Sequence, residues 1–167
     1  MHIAKTVFLL LICICFLSSC SLGRERKDMD SENNVYKKVD AHLEQIIESI
    51  ETRDNEKIKS MFSEQALNEA KELDEGIDYL FTLIEGSIQS WDRVGGSVDE
   101  TNDYGRKMVK ARLRYNVYTD KEQYLFSILE YTEDADHPEN IGVYNIKAIN
   151  VNSEEPIFSE AGIYMPE

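Results

Sequence analysis

The apolar residues of this 167-residue chain change period once, and that change limits the folds open to it. Up to Ile84 they recur at steps of three and four, as on one face of a helix. From Val109 they recur at steps of two, as on one face of a strand. Val35, Val39, Leu43, Ile46, Ile47 and Ile50 predict a long amphipathic helix over roughly 33–52. Asp54 can accept from the free N–H groups of a short helix carrying Ile58, Met61 and Phe62. Ser63 can do the same for one carrying Ala66, Leu67, Ala70 and Leu73. A fourth helix, after Asp74, carries Ile77, Leu80, Phe81 and Ile84 and stops near Gly86.

Ile88 and Trp91 predict a strand that ends at the Gly95-Gly96 turn signal. Val109, Ala111, Leu113, Tyr115 and Val117 alternate with polar residues in a strand with one buried face. Thr119 to Glu122 turns the chain into the more fully apolar strand YLFSILEY. A polar loop at 132–140 separates it from a strand over Ile141–Val151, and Ile157–Tyr164 forms a short last strand. Helices first and an antiparallel meander after them predict an α+β fold, with amino-terminal helices packed in a curved antiparallel sheet. Such a sheet leaves a pocket at its open end.

Ahead of this pattern, Val7 to Leu17 is an unbroken apolar run following Lys5. It is long enough for a signal-peptide core and shorter than the roughly 20 residues that span a bilayer. Leu17-Ser18-Ser19-Cys20 follows at once: an aliphatic residue, two small residues and a cysteine, the pattern of a lipobox. The expected reading is a signal peptide over 1–19, cut before Cys20, whose sulfur then carries lipid. An ordinary secretory signal and an uncut membrane anchor are the alternatives. Cys13 and Cys15 fall in the removed segment, so the mature chain keeps only Cys20 and must be stabilised by its core without disulfides. Residues 20–34 lack periodic apolar positions and predict a flexible tether; 35–167 predicts a single α+β domain.

Loss of residues 1–19 removes Lys5 and no acid, leaving 17 cations against 32 acids, a net charge of −15. That balance argues against nucleic acid as a partner, because phosphate contacts need a basic surface. It also predicts repulsion of the domain from anionic lipid, with Arg24, Arg26 and Lys27 alone suited to headgroups.

HLEQIIESIETRDNEKIKSMFSEQAL (42–67) resembles the opening of nuclear transport factor 2-like domains. LDEGIDYLFTLIEGSIQSWDRVGGSV (73–98), Tyr104-Gly105, EYTEDADHPENIGVYNI (130–146) and AGIYMPE (161–167) resemble an uncharacterised family of bacterial lipoproteins, domain of unknown function 5104. The resemblance spans about 35–167. It implies a nuclear transport factor 2-like, cystatin-like cone on a lipid tether, on the outer face of a cytoplasmic membrane. It implies no activity, since the wider fold hosts isomerases, dehydratases and non-catalytic modules alike.

Enzymes of that fold place a carboxylate, histidine or tyrosine in the cone for proton transfer, and burial must shift such a group's pKa. The candidate pocket residues are Asp78, Phe81, Trp91, Tyr115, Tyr124 and Glu130, with Tyr79 beside them. Solvent exposure or capping is the plainer role for Asp78 and Glu130, and simple core packing for the aromatics. His42 and His137 stand 95 positions apart with no metal-ligand spacing, so no metal is expected. Asp134, Asp136 and Glu139, and Asp99, Glu100 and Asp103, suggest calcium only weakly, and solvated charge is the simpler reading. Ser127 and Ser159 have no visible base, and no cofactor motif is present.

The leading expectation is a membrane-held binding module for a small apolar ligand or a protein. A small isomerase- or dehydratase-type enzyme with Asp78 or Glu130 as base is one rival, and a structural or homodimerising module the other. For the anchor, Cys20→Ala should abolish metabolic labelling of the chain by radioactive fatty acid. Persistent labelling of that variant would exclude lipidation at Cys20.

Overall fold

The computed structural model of the chain describes residues 22–154 and 158–166, with side chains from Glu32 onward. Leu17, Ser18, Ser19 and Cys20 lie outside the described residues. Contacts divide the chain into residues 1–34 and 35–167, and the packing described below is that of the second unit. Four helices come first: α1 (Leu22–Thr52), α2 (Asn55–Lys59), α3 (Glu64–Glu69) and α4 (Leu73–Leu83). Five strands follow: β1 (Ile88–Asp103), β2 (Arg106–Thr119), β3 (Gln123–Asp134), β4 (Gly142–Asn150) and β5 (Gly162–Ile163). They form one sheet in the order β1-β2-β3-β4-β5, so the fold is α+β. No helix among the described residues is long and apolar enough to cross a membrane.

Local chemistry accounts for the helix boundaries. Asp54 accepts from Lys57 N–H at 3.0 Å at the start of α2, and Ser63 Oγ from Ala66 N–H at 3.1 Å at the start of α3. These two caps are where the sequence predicts them. The start of α1 is not: it begins at Leu22 instead of near 33, so residues expected as an irregular tether are helical. That stretch is rich in Arg, Glu and Lys, good helix formers that extend a helix without any apolar stripe.

The sheet departs from expectation at two places. Gly95-Gly96 does not end β1; it sits inside a 16-residue strand, beside a register shift between Arg93 and Gly95. A Cβ at Gly96 would run into the Arg112 carbonyl oxygen, so glycine here permits a close approach of β1 to β2. The turn comes instead at Tyr104-Gly105, both at positive φ. β5 is shorter than predicted and pairs parallel with β4 (Asn145 with Gly162, Ile146 with Ile163), which ends the antiparallel meander. Residues 155–157 of the predicted last strand lie outside the described residues.

The core lies between the helices and one face of the sheet. Val39, Leu43 and Ile46 of α1 and Ile77 and Leu80 of α4 meet Leu113, Tyr115, Phe126, Ile128 and Ile146, all at most 1% exposed. The α2–α3 connection is hooked to the same sheet: Ser63 N–H donates to Val143 O and Val143 N–H to Met61 O, each at 2.9 Å. Gly142, at φ 133°, lets these backbones meet; its Cβ would lie 2.9 Å from Ser63 N. Gly142→Ala should therefore lower stability by about 1–3 kcal/mol in urea unfolding, the usual cost of a strained backbone position.

Candidate functional site

Two polar groups flank the apolar stripe of α1 where it crosses the sheet. Tyr36 and Asp40 stand one turn apart on one side of the stripe, and Lys38 and His42 one turn apart on the other. Asp40 is the hub of the first group. It accepts the Tyr115 hydroxyl proton at 2.9 Å, and Arg93 Nη1 lies 3.0 Å from both of its oxygens. The Arg93 guanidinium also lies over the Tyr36 ring, 4.2 Å from its centroid. Trp91 meets Tyr115 edge-on at 5.7 Å. Burial, and then the bond to Asp40, raise the pKa of Tyr115 far above the ordinary tyrosine range, so it is a neutral donor.

The second group centres on Glu130, which continues the core-facing row Tyr124, Phe126, Ile128 and is fully buried. Its Oε2 lies 2.6 Å from His42 Nδ1. This bond holds the imidazole in one orientation. Lys38 Nζ approaches Oε1 at 3.4 Å but donates its hydrogen bond to Thr132 O, and Glu130 Oε1 accepts none. His42 keeps 19% of its side chain exposed. A histidine oriented by a buried carboxylate and open to solvent has the geometry of an acid–base pair.

The six candidate residues thus occupy separate places. Trp91 meets Tyr115, which binds Asp40, and Glu130 meets His42. Tyr124, 2% exposed, accepts Glu85 N–H at 2.9 Å just past α4, and Phe81 is core. Asp78 is exposed, while neighbouring Tyr79 has its pKa raised mainly by burial. An open hollow of about 480 Å3 lined by Lys59, Leu67, Leu73 and Asp74 includes none of the six. Asp40, Arg93, Lys38 and His42 were not singled out as site residues by sequence reasoning. The readable signal was the pair of i, i+4 polar residues on each side of the apolar stripe. Their partners are 53 to 94 positions away and cannot be read from spacing.

The acidic loops are ordered by their own hydrogen bonds. Asp134 accepts from Asn140 Nδ2 at 2.9 Å and from His137 and Asp136 N–H at 3.0 and 3.2 Å. Asp136 and Asp103 pair with Arg106, and Glu100 with Lys107. Among the described residues no three His, Cys, Asp or Glu side chains are grouped to hold a metal ion.

Over residues 45–151, more than half of its length, the chain matches the model of the family described as Domain of unknown function (DUF5104), and it belongs to that family. No curated protein matches it.

Two measurements follow from this geometry. Asp40→Ala leaves the buried Tyr115 hydroxyl without an acceptor, so it should cost about 1–3 kcal/mol, whereas Tyr115→Phe removes the donor and should cost less. Thermal unfolding of the two variants checks the order. The amide of Asn140, then those of His137 and Asp136, hold the pKa of Asp134 below the ordinary carboxylate value. A depressed pKa contributes stability above the unfolded value, near 4, and loses it as pH falls through the folded one. Hydrogen-exchange protection of the His137 and Asp136 amides should therefore hold at neutral pH and fall in acid, and be absent at both in Asp134→Ala.

Proposed function

We propose that the chain is the precursor of a lipid-anchored protein that carries a non-catalytic binding module of nuclear transport factor 2-like architecture on the outer face of a cell membrane. The anchor rests on Leu17-Ser18-Ser19-Cys20 directly after the apolar run. The observation that carries the non-catalytic reading is that the carboxylates at the helix–sheet interface are engaged in holding α1. Asp40 binds Tyr115 and Arg93, Glu130 binds His42, and Asp78 is in solvent. A carboxylate base for a small apolar substrate needs a free oxygen facing that substrate.

One contact favours a second reading, a small isomerase- or dehydratase-type enzyme. The buried Glu130 orients a partly exposed imidazole, and its Oε1 accepts no hydrogen bond.

A fluorescence screen of small apolar molecules separates the two, because Trp91 is the chain's single tryptophan and stands beside Tyr115. The binding module changes Trp91 emission on binding and returns the ligand unaltered. If the ligand is consumed, and Glu130→Gln stops its consumption while binding persists, the enzyme reading replaces it. For location, the wild-type chain should sediment with membranes and be cut by protease added outside intact cells. Recovery from the cytosol would overturn the anchored reading.

A further inference from the structure

β1 is a long strand at the edge of the sheet. It pairs with β2 on one side, and among the described residues no strand pairs with its other side. It runs 16 residues, against about 5–6 in an ordinary strand. Its outer side therefore presents a row of backbone N–H and C=O groups on which another strand can pair. Sheet edges are usually blunted by short length, by Lys or Pro, or by a covering element. The opposite edge, β5, is two residues long. β1 has no such length limit and carries no Lys and no Pro. From Gly95 to Asp103, past its second register shift, its pairing with β2 is unbroken.

Charge and sequence indicate what fits this edge. The whole chain has 32 acids against 18 Lys and Arg, so two copies repel over most of their surfaces. The β1–β2 hairpin reverses that balance, with six Lys and Arg against four Asp and Glu, and there a second, acidic copy is not repelled. The unbroken part of β1 also complements itself. In antiparallel pairing about Val98, Val98 meets the same residue of the second copy, Ser97 meets its Asp99 and Gly96 its Glu100. No like charges are opposed, and a β-branched pair sits at the centre. Pairing about Asp99 or Thr101 would set acid against acid. Val98 packs on the helix-side core, so Ser97 and Asp99 lie on the other face. There Arg112 of β2 stands opposite Ser97, and Arg112, Ser97 and Asp99 are all exposed. The row then runs from Arg112 over Ser97 to the second copy's Asp99, two strand spacings or about 10 Å, with only a short serine between the charges. Two-fold symmetry makes this contact twice.

We propose that two copies of the domain join edge to edge through antiparallel pairing of β1 about Val98, with Arg112 of each copy reaching Asp99 of the other. The two five-stranded sheets become one continuous sheet. Backbone hydrogen bonds supply the attraction, and the two charge contacts fix the register. The pairing goes beyond the binding-module reading and stands or falls apart from it.

Sedimentation equilibrium of the full-length chain in density-matched non-ionic detergent tests it. The wild type should be a dimer that dissociates on dilution. Arg112→Glu and Asp99→Arg each oppose like charges at both contacts, and each alone should weaken the dimer on the order of tenfold or more. Both positions are exposed, so the circular dichroism of the variants should match the wild type. Mixed in equal amounts, the two variants should recover association, because each contact in the mixed dimer again joins opposite charges. Association through detergent-held anchors would instead leave the single variants like the wild type. Should a charge reversal disturb the fold, Arg112→Gln and Asp99→Asn remove the contact without repulsion, and each should weaken the dimer by a smaller factor. A monomeric wild type, undiminished association of the folded single variants, or no recovery in the mixture overturns the proposal.

Discussion

The contact on which the arrangement of this protein depends is the buried Glu130 carboxylate held by His42. A polar group that is fully out of water is unfavourable unless it is hydrogen-bonded, and removing its partner is far more disruptive than losing an exposed ion pair. Glu130 sits on the core-facing side of β3, next in its row to the buried Tyr124, Phe126 and Ile128. Burial of Val39, Leu43, Ile46 and Ile50 draws α1 to the sheet but is non-directional. Glu130 supplies direction. Turning α1 by one residue, about 100°, would carry His42 away from it. Asp40, with Tyr115 and Arg93, fixes the same rotation from the other side of the stripe. Polar contacts here select one register of a helix that apolar contacts hold.

Those contacts also divide the labour of the sheet. Its helix-facing side has its polar atoms matched internally, apart from Glu130 Oε1. Its opposite side carries Lys110, Arg112 and Arg114 of β2, and the Asn145 amide is buried there without an acceptor. In a chain with 32 acids and 18 Lys and Arg, repulsion tends to spread like charges apart, so alternating cations on one acid-free strand run against the balance of the whole. The acids of β1 past Asp99 serve the far end of the hairpin, through Arg106 and Lys107. Membership of the DUF5104 family assigns no chemistry to either face.

Local features of the fold were legible in the sequence. The switch from steps of three and four to steps of two separates α1–α4 from β2, β3 and β4, because each period is set by the geometry of one element. Asp54 and Ser63 announce their helices because a cap needs only residues three positions apart. Features that depend on a neighbouring strand were read less well. Gly95-Gly96 has the composition of a turn, and only the closeness of Arg112 on β2 explains Gly96 inside a strand. The parallel pairing of β5 depends on where β4 already lies. The start of α1 escaped for the opposite reason: its first turns leave no periodic apolar mark.

The sequence by itself determined the order of helices and strands, the residues of the core and the acidity of the chain, since these follow from side-chain type and spacing along the backbone. Tertiary structure decided which polar residues meet. His42 and Glu130 are 88 positions apart, and Asp40 and Tyr115 are 75 apart. It also decided that Arg112, Arg114, Asn145 and Lys147 share one face. Hydrogen bonds and ion pairs act over about 3–4 Å. Whether two distant residues come that close is set by strand register and helix rotation, which no local pattern encodes.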